Sequence, residues 1–270
     1  MLTHTLGVPF DRIRLVQGDS DQLIAGGGTG GSKSLMASGS AIVEAGEKVI
    51  EKGRLLAAHY LETGIGDIEF EAGRFAIVGT DRSLGIMELA ERMRTGPALP
   101  AELPQTLDVD HVFEAAPSAY PNGCHIAEVE IDPDTGRIEI ARYVMVNDFG
   151  TVVNPMIVEG QLHGGVVQGI GQAIFETTAY DEAGQLTTGS YMDYALPRAG
   201  DVPNFTFISR AVPTATNRLG AKGCGEAGCA GSLPSVMNAV VDALSSFGVR
   251  HIDMPATPLT VWKAIHASPQ

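Results

Sequence analysis

Leu35, Ile42, Val49 and Leu56 recur at steps of seven, with Ala37, Gly39, Ala41 and Ala45 on the intervening turns. This pattern predicts a long helix over residues 34–61, closely packed on one face, with Ser32 as its N-cap. Upstream, THTLGVPFDRIRLV reads as a helix end, a Gly-Val-Pro turn and a short strand, so the chain opens as if inside a longer unit. Two short apolar runs around Gly73 predict a hairpin over 68–78. Residues 83–93 predict an amphipathic helix capped by Ser83, and the three prolines of 95–104 predict a linker. Alternation is clearest from His125 to Asp148, where Val129 and Ile131 alternate with Glu128, Glu130 and Asp132, the Pro133-Asp134-Thr135-Gly136 stretch turns the chain, and Ile138, Ile140, Tyr143 and Met145 continue into a long second strand. Pro155 opens a helix to about residue 177, residues 205–209 form another strand, and helices follow over 233–244 and 259–265. Strands and helices mix without a regular βαβ repeat, which makes the fold class α+β.

Composition sharpens this picture. A hydrophobic share of 44% is that of a globular chain, and a net charge of −14 removes the basic face that nucleic acid or anionic membranes require. No apolar run approaches the roughly 18–20 residues of a membrane helix, and no signal peptide is evident, so a cytoplasmic location is expected. Cys124, Cys224 and Cys229 form neither a disulfide framework nor a zinc spacing and read as small buried thiols. Glycine accounts for 33 residues without a repeat period, so tight turns or close backbone approaches must explain it.

Three stretches carry candidate chemistry. In Gly26-Gly27-Gly28-Thr29-Gly30-Gly31-Ser32-Lys33-Ser34, bare N–H groups beside Lys33 suit a phosphate. The loop nearly matches a nucleotide-binding P-loop, with Ser32 where that motif needs glycine and Asp148 as a possible magnesium ligand; a plain flexible loop is the third reading. The second stretch, Lys222-Gly-Cys-Gly-Glu226-Ala-Gly-Cys-Ala-Gly-Ser232, isolates one carboxylate among small residues. Burial would raise its pKa and suit it to general-base work, whereas exposure would leave an ordinary loop glutamate. The next helix start, at Ser232-Leu233-Pro234, would offer free N–H groups. The third stretch is the helix from Pro155, with Gly160, Gly164, Gly165, Gly169 and Gly171. Each glycine costs about 1 kcal/mol against alanine, so something must lie against this helix. Gln161, Gln168 and Gln172 share one face and suit a cofactor wall, while His163 reads as a structural histidine. Asn147-Asp148-x-Gly150 resembles a turn.

These stretches, in this order, resemble the C-terminal part of the molybdenum-binding chain of the xanthine dehydrogenase / aldehyde oxidase / carbon monoxide dehydrogenase family. The resemblance rests on GVPFDRIRLVQGDSD, GGTGGSKSLMASGSAIVEA, NDFGTVVNPMIVEGQLHGGVVQGIGQAIFE, GSYMDYALPRAGDVPNF, KGCGEAGCAGSLPSVMNAVVDAL and HIDMPATPLTVWKAI. It implies that residues 1–270 form the C-terminal molybdopterin-binding region, with the 95–104 linker between two lobes. It implies that Gly30, Gly31, Ser32, Lys33 and Ser34 contact a molybdenum–molybdopterin cofactor, in its cytosine dinucleotide form, and that Gln161 approaches it near the metal. Glu226 would be the general base beside the molybdenum, in the oxidative hydroxylation of an aldehyde or N-heterocycle. The metal would be held by the pterin, so no protein metal ligand is expected. The expected partners are the remaining part of the molybdenum chain, an iron–sulfur subunit and an FAD subunit, which together with this chain form a hetero-oligomer. A non-catalytic remnant or assembly module of the same family is the alternative.

Overall fold

The computed structural model describes residues 1–114 and 117–267 and divides the chain into two compact units. The first comprises Met1–Gly30, Ser34–Pro117 and Asn217–Leu219; the second comprises Gly31–Lys33, Ser118–Thr216 and Gly220–Gln270. The 95–104 stretch lies inside the first unit.

In the first unit, α1 (Leu2–Leu6) ends at Gly7, whose φ of 66° closes the helix in the left-handed region. A single 3-10 turn, Phe10–Arg12, follows. The short strand expected after the Gly-Val-Pro turn, within residues 3–16, does not form, because a lone short strand without a neighbour gains no ladder hydrogen bonds. Helix α2 (Ser34–Tyr60) confirms the seven-residue apolar pattern and buries Leu56, Ala57 and Ala58. Phe75 lies directly over Gly53 of α2, so that glycine serves a close approach. Strands β1 (Ile68–Glu71) and β2 (Arg74–Ile77) make the expected hairpin. Residues 83–85 correct the sequence reading. Ser83–Gly85 is a third strand, β3, pairing Leu84 with Phe75, and the helix α3 begins later, at Ile86–Thr95. Leu84 is fully buried there, and the Ser83 hydroxyl accepts from Arg74 at 2.8 Å instead of capping a helix.

The second unit is built on β4 (Asn122–Ile131) and β5 (Ile138–Asp148), the long antiparallel pair expected from the alternation. Strand β6 (Phe205–Ser209) adds to β5 in parallel, with Tyr143 opposite Phe205. Helix α4 (Pro155–Ile174) starts where proline predicted, with the Asn154 side chain accepting from the Ile157 N–H at 3.2 Å. Helix α5 (Ala227–Leu244) packs on both α4 and β4, and α6 (Pro258–Ala267) ends the unit. Tyr143, Met145, Leu162, Ile170, Val236 and Leu244 are fully buried in this core.

Helix α5 starts six residues earlier than the sequence suggested, and Pro234 sits inside it. The run of small residues read as a loop is instead a helix turn pressed against α4. A Cβ on Gly165 would come 3.0 Å from the Gly228 Cα, and one on Gly169 would overlap the Ser232 hydroxyl. Thus Gly165 and Gly169 are explained within the chain, whereas a Cβ at Gly160 or Gly164 would meet nothing within 4 Å. Among the described residues, no helix is long and apolar enough to cross a membrane.

Candidate functional site

The sequence places Ser32, Gln161 and Glu226 far apart, and the second unit brings them together. The Ser32 hydroxyl donates to Glu226 Oε2 at 2.9 Å and accepts the Glu226 backbone N–H at 3.0 Å. A Cβ on Gly225 would lie 3.6 Å from Ser32 Oγ and 3.7 Å from Gln161 Oε1, so this glycine sits between the two side chains. Gly31, Ser32 and Lys33 therefore belong to the unit that carries Gln161 and Glu226. Gly30 and Ser34 flank that tripeptide in sequence and belong to the first unit.

One expectation for this region changes: Ser32 does not cap α2; its hydroxyl is committed to Glu226. Of the two readings left open for Glu226, buried or exposed, it is exposed, and it stands at the N-cap of α5, where its side chain makes no cap hydrogen bond. The free helix start expected at Ser232 is likewise absent, since Ser232 is buried within α5.

Lys222 does not serve Glu226 either. It pairs with Asp148 at 2.5 Å, and both side chains are nearly buried, at 11% and 12% exposure. Asp148 also accepts the N–H groups of Gly150 (2.8 Å) and Val212 (2.9 Å), which makes the expected Asn-Asp-x-Gly turn. Burial pushes the Asp148 carboxyl up, but the Lys222 hydrogen bond and these amides outweigh it and hold the group at about 2. The Lys222 N–H donates to the Phe149 carbonyl at 2.9 Å, and Thr151 donates to Gly220 at 2.8 Å. The ion pair and these backbone bonds fasten the segment leading to Glu226 onto the end of β5. Asp148 is thereby fully engaged, which leaves the P-loop reading without its magnesium ligand.

A polar chain lies behind the first turn of α5. His125 shares a hydrogen bond of 2.8 Å with the Tyr143 hydroxyl, which meets Ser235 at 3.1 Å. Burial lowers the His125 pKa, against the opposing contact with Asn147, and burial pushes Tyr143 up to about 12, against Ser235. A cleft of about 220 Å³ opens beside them, lined by Asn122, His125, Asn147, Ala227 and Ala230. Sequence reasoning missed both this chain and the Asp148–Lys222 pair. Their members stand up to 92 residues apart, and no local spacing announces them.

Other expectations are adjusted. His163 packs edge-on to Phe205 at 5.3 Å between ring centres, but its buried Nε2 finds no hydrogen-bond partner among the described residues. Cys124 is exposed and Cys224 and Cys229 are half-buried, so the three are not the buried thiols expected. Gln161, Gln168 and Gln172 are all exposed along α4. Among the described residues, no group of three or more His, Cys, Asp or Glu side chains could hold a metal ion.

Comparison with known proteins identifies the chain's relatives. The family model for the molybdopterin cofactor-binding domain matches residues 1–203. The chain is 37% identical over 266 residues to the carbon monoxide dehydrogenase large chain of Hydrogenophaga pseudoflava, covering 98% of this chain and 33% of that one. The structure of CO dehydrogenase from Oligotropha carboxidovorans superposes with a TM-score of 0.91 at 33% identity, over 98% of this chain and 33% of that one. Quinoline 2-oxidoreductase from Pseudomonas putida 86 gives a TM-score of 0.82 at 32% identity, over 89% of this chain and 31% of that one. The chain thus spans about a third of the length of these relatives. It belongs to the molybdopterin cofactor-binding domain family, and matches about a third of the large, molybdenum-containing chain in the xanthine dehydrogenase / carbon monoxide dehydrogenase group.

Proposed function

We propose that this chain forms the cofactor-facing C-terminal region of a molybdenum hydroxylase, and that Glu226 is the general base of that enzyme. The observation that carries the reading is the convergence of Ser32, Gln161 and Glu226 from three distant segments onto one exposed, glycine-bordered surface. That surface fits a molybdenum–pterin. Open glycines at 160 and 164 leave room for a flat heterocycle, an exposed amide at Gln161 can donate and accept, and Lys33 adds positive charge beside the Gly30–Ser34 loop.

In this reading Gly30, Gly31, Ser32, Lys33 and Ser34 offer backbone N–H groups to the pterin and its cytosine dinucleotide extension. Gln161 orients the cofactor edge nearest the reacting centre. When bound, the cofactor supplies a two-electron redox centre. Glu226 accepts the proton released as an oxygen nucleophile adds to the substrate carbon, and its exposure in this chain lets the carboxylate, held by Ser32 through Oε2, face it. The substrate is a small electrophilic carbon compound, an aldehyde or an N-heterocycle. The second of these classes accords with the quinoline oxidoreductase among the structural relatives. The partners are the remaining two thirds of the molybdenum chain, an iron–sulfur chain and an FAD chain, assembled as a hetero-oligomer in the cytoplasm.

The test is Glu226→Gln in the enzyme assembled with its partner chains. Molybdenum content should stay unchanged while turnover falls by about 10²–10⁴-fold, the usual contribution of a positioned base. Near-normal turnover with full molybdenum would refute the assignment.

A further inference from the structure

Among the described residues, Ser32 is one of three non-glycine residues with a positive φ, at 54°. A serine held there is strained relative to a glycine, which would accept the same backbone freely. The preceding stretch is mostly glycine, so glycine would be the unstrained choice at this position. Such an outlier persists where the surroundings hold it, and it points toward a role for the side chain.

That side chain is fully committed. Its oxygen accepts the Glu226 N–H at 3.0 Å, which leaves its one proton for Glu226 Oε2 at 2.9 Å. The backbone is held from the other side. A Cβ on Gly223 would come 2.6 Å from both the Ser32 Cβ and its carbonyl oxygen, so the 223–226 segment lies flat on Ser32. Segment 220–222 is in turn fixed to β5 by the Asp148–Lys222 pair and the Lys222–Phe149 backbone bond. Position 226 thus receives one rigid backbone anchor and one directed hydrogen bond on its carboxylate.

We infer that Ser32 is a positioning residue for Glu226: its hydroxyl, held by a strained backbone and ordered by the Glu226 amide, fixes which way the carboxylate points. This rests on the general-base reading of Glu226 and deepens it. The loop then has two separate tasks, with backbone N–H groups for the cofactor and the Ser32 hydroxyl for the base. The Glu226 side chain makes no cap hydrogen bond at the start of α5, so its carboxylate is available to Ser32. The charged groups that could compete for it are Lys222, which Asp148 already engages, and Lys33, next to Ser32 in the chain; Gln161 on α4 is neutral.

The experiment uses Ser32→Gly, which relieves the backbone, and Ser32→Ala, which keeps the Cβ against Gly223. In the chain carrying ¹³C-labelled glutamate carboxyl groups, the Glu226 resonance is assigned by its loss in Glu226→Gln. Both variants should shift that resonance at neutral pH and speed exchange of the Glu226 amide proton by about tenfold. In the assembled enzyme both should lower kcat roughly tenfold or more, with KM and molybdenum content unchanged. An unmoved Glu226 resonance, or wild-type kcat in both variants while Glu226→Gln is inactive, overturns the inference. Loss of molybdenum with an unmoved resonance also overturns it, because the hydroxyl would then serve the cofactor. Full turnover in Glu226→Gln defeats the general-base reading instead, and the resonance still reports on the clamp.

Discussion

Lys222→Met offers a direct measure of how firmly the Glu226 segment is held. The substitution keeps the apolar stem of the side chain and deletes the ammonium that sits 2.5 Å from Asp148. Removing one partner of a nearly buried pair leaves a carboxylate satisfied only by the Gly150 and Val212 amides and Asn122. The depression of Asp148 from 3.8 to about 2, net of the opposing effect of burial, corresponds to about 2 kcal/mol. Lys222 is the first of the lowering contacts, so its removal should cost about 1–2 kcal/mol at neutral pH. For a chain of this size that is a fall in Tm of about 2–8 °C. The sign with pH follows from linkage. Because the folded Asp148 titrates below its unfolded value, its stabilisation is present above about pH 4 and disappears as pH falls through about 2. Urea unfolding of wild type and variant between pH 7 and pH 2.5 is the assay. The two should differ at pH 7, and the difference should shrink toward pH 2.5 as the unfolded-state carboxyl takes up its proton while the folded one stays largely ionised. Equal stability at pH 7, or a difference that persists undiminished at pH 2.5, would refute the reasoning.

The glycines of α4 supply two opposite expectations. Gly169→Ala drives a methyl into the Ser232 hydroxyl and within 3.1 Å of the Cys229 carbonyl, so it should destabilise the chain by about 1–3 kcal/mol in thermal or urea unfolding. Gly164→Ala meets open space and should stabilise the isolated chain by about 0.5–1 kcal/mol through helix propensity. In the assembled enzyme the same methyl should reduce molybdenum occupancy, measured by mass spectrometry, if the cofactor lies on this face.

Much of the framework follows from local rules. The apolar steps of α2, the alternation of β4 and β5, and proline at the start of α4 each satisfy a rule that spans only a few residues. Where a segment's conformation depended on a distant neighbour, local reading failed. Ser83 looked like a cap until Leu84 found Phe75 across a strand, and Cys-Gly-Glu-Ala-Gly-Cys looked like a loop until its small residues met the glycines of α4. Five glycines in one helix asked for a single explanation from sequence. The structure divides them among close helix packing at 165 and 169, the folded-back Glu176 side chain at 171, and open surface at 160 and 164.

By itself the sequence determined the α+β class, the placement of most helices and strands, and the three stretches that resemble the molybdenum hydroxylases, because motif spacing and periodicity are local properties of the chain. Only the tertiary structure decided that Ser32 meets Glu226 across 194 residues, that Lys222 belongs to Asp148, and that Glu226 is exposed at a helix start. Those outcomes depend on which distant groups can be buried or satisfied together. Packing and desolvation settle that competition over the whole fold, and no short window of sequence contains all its contestants.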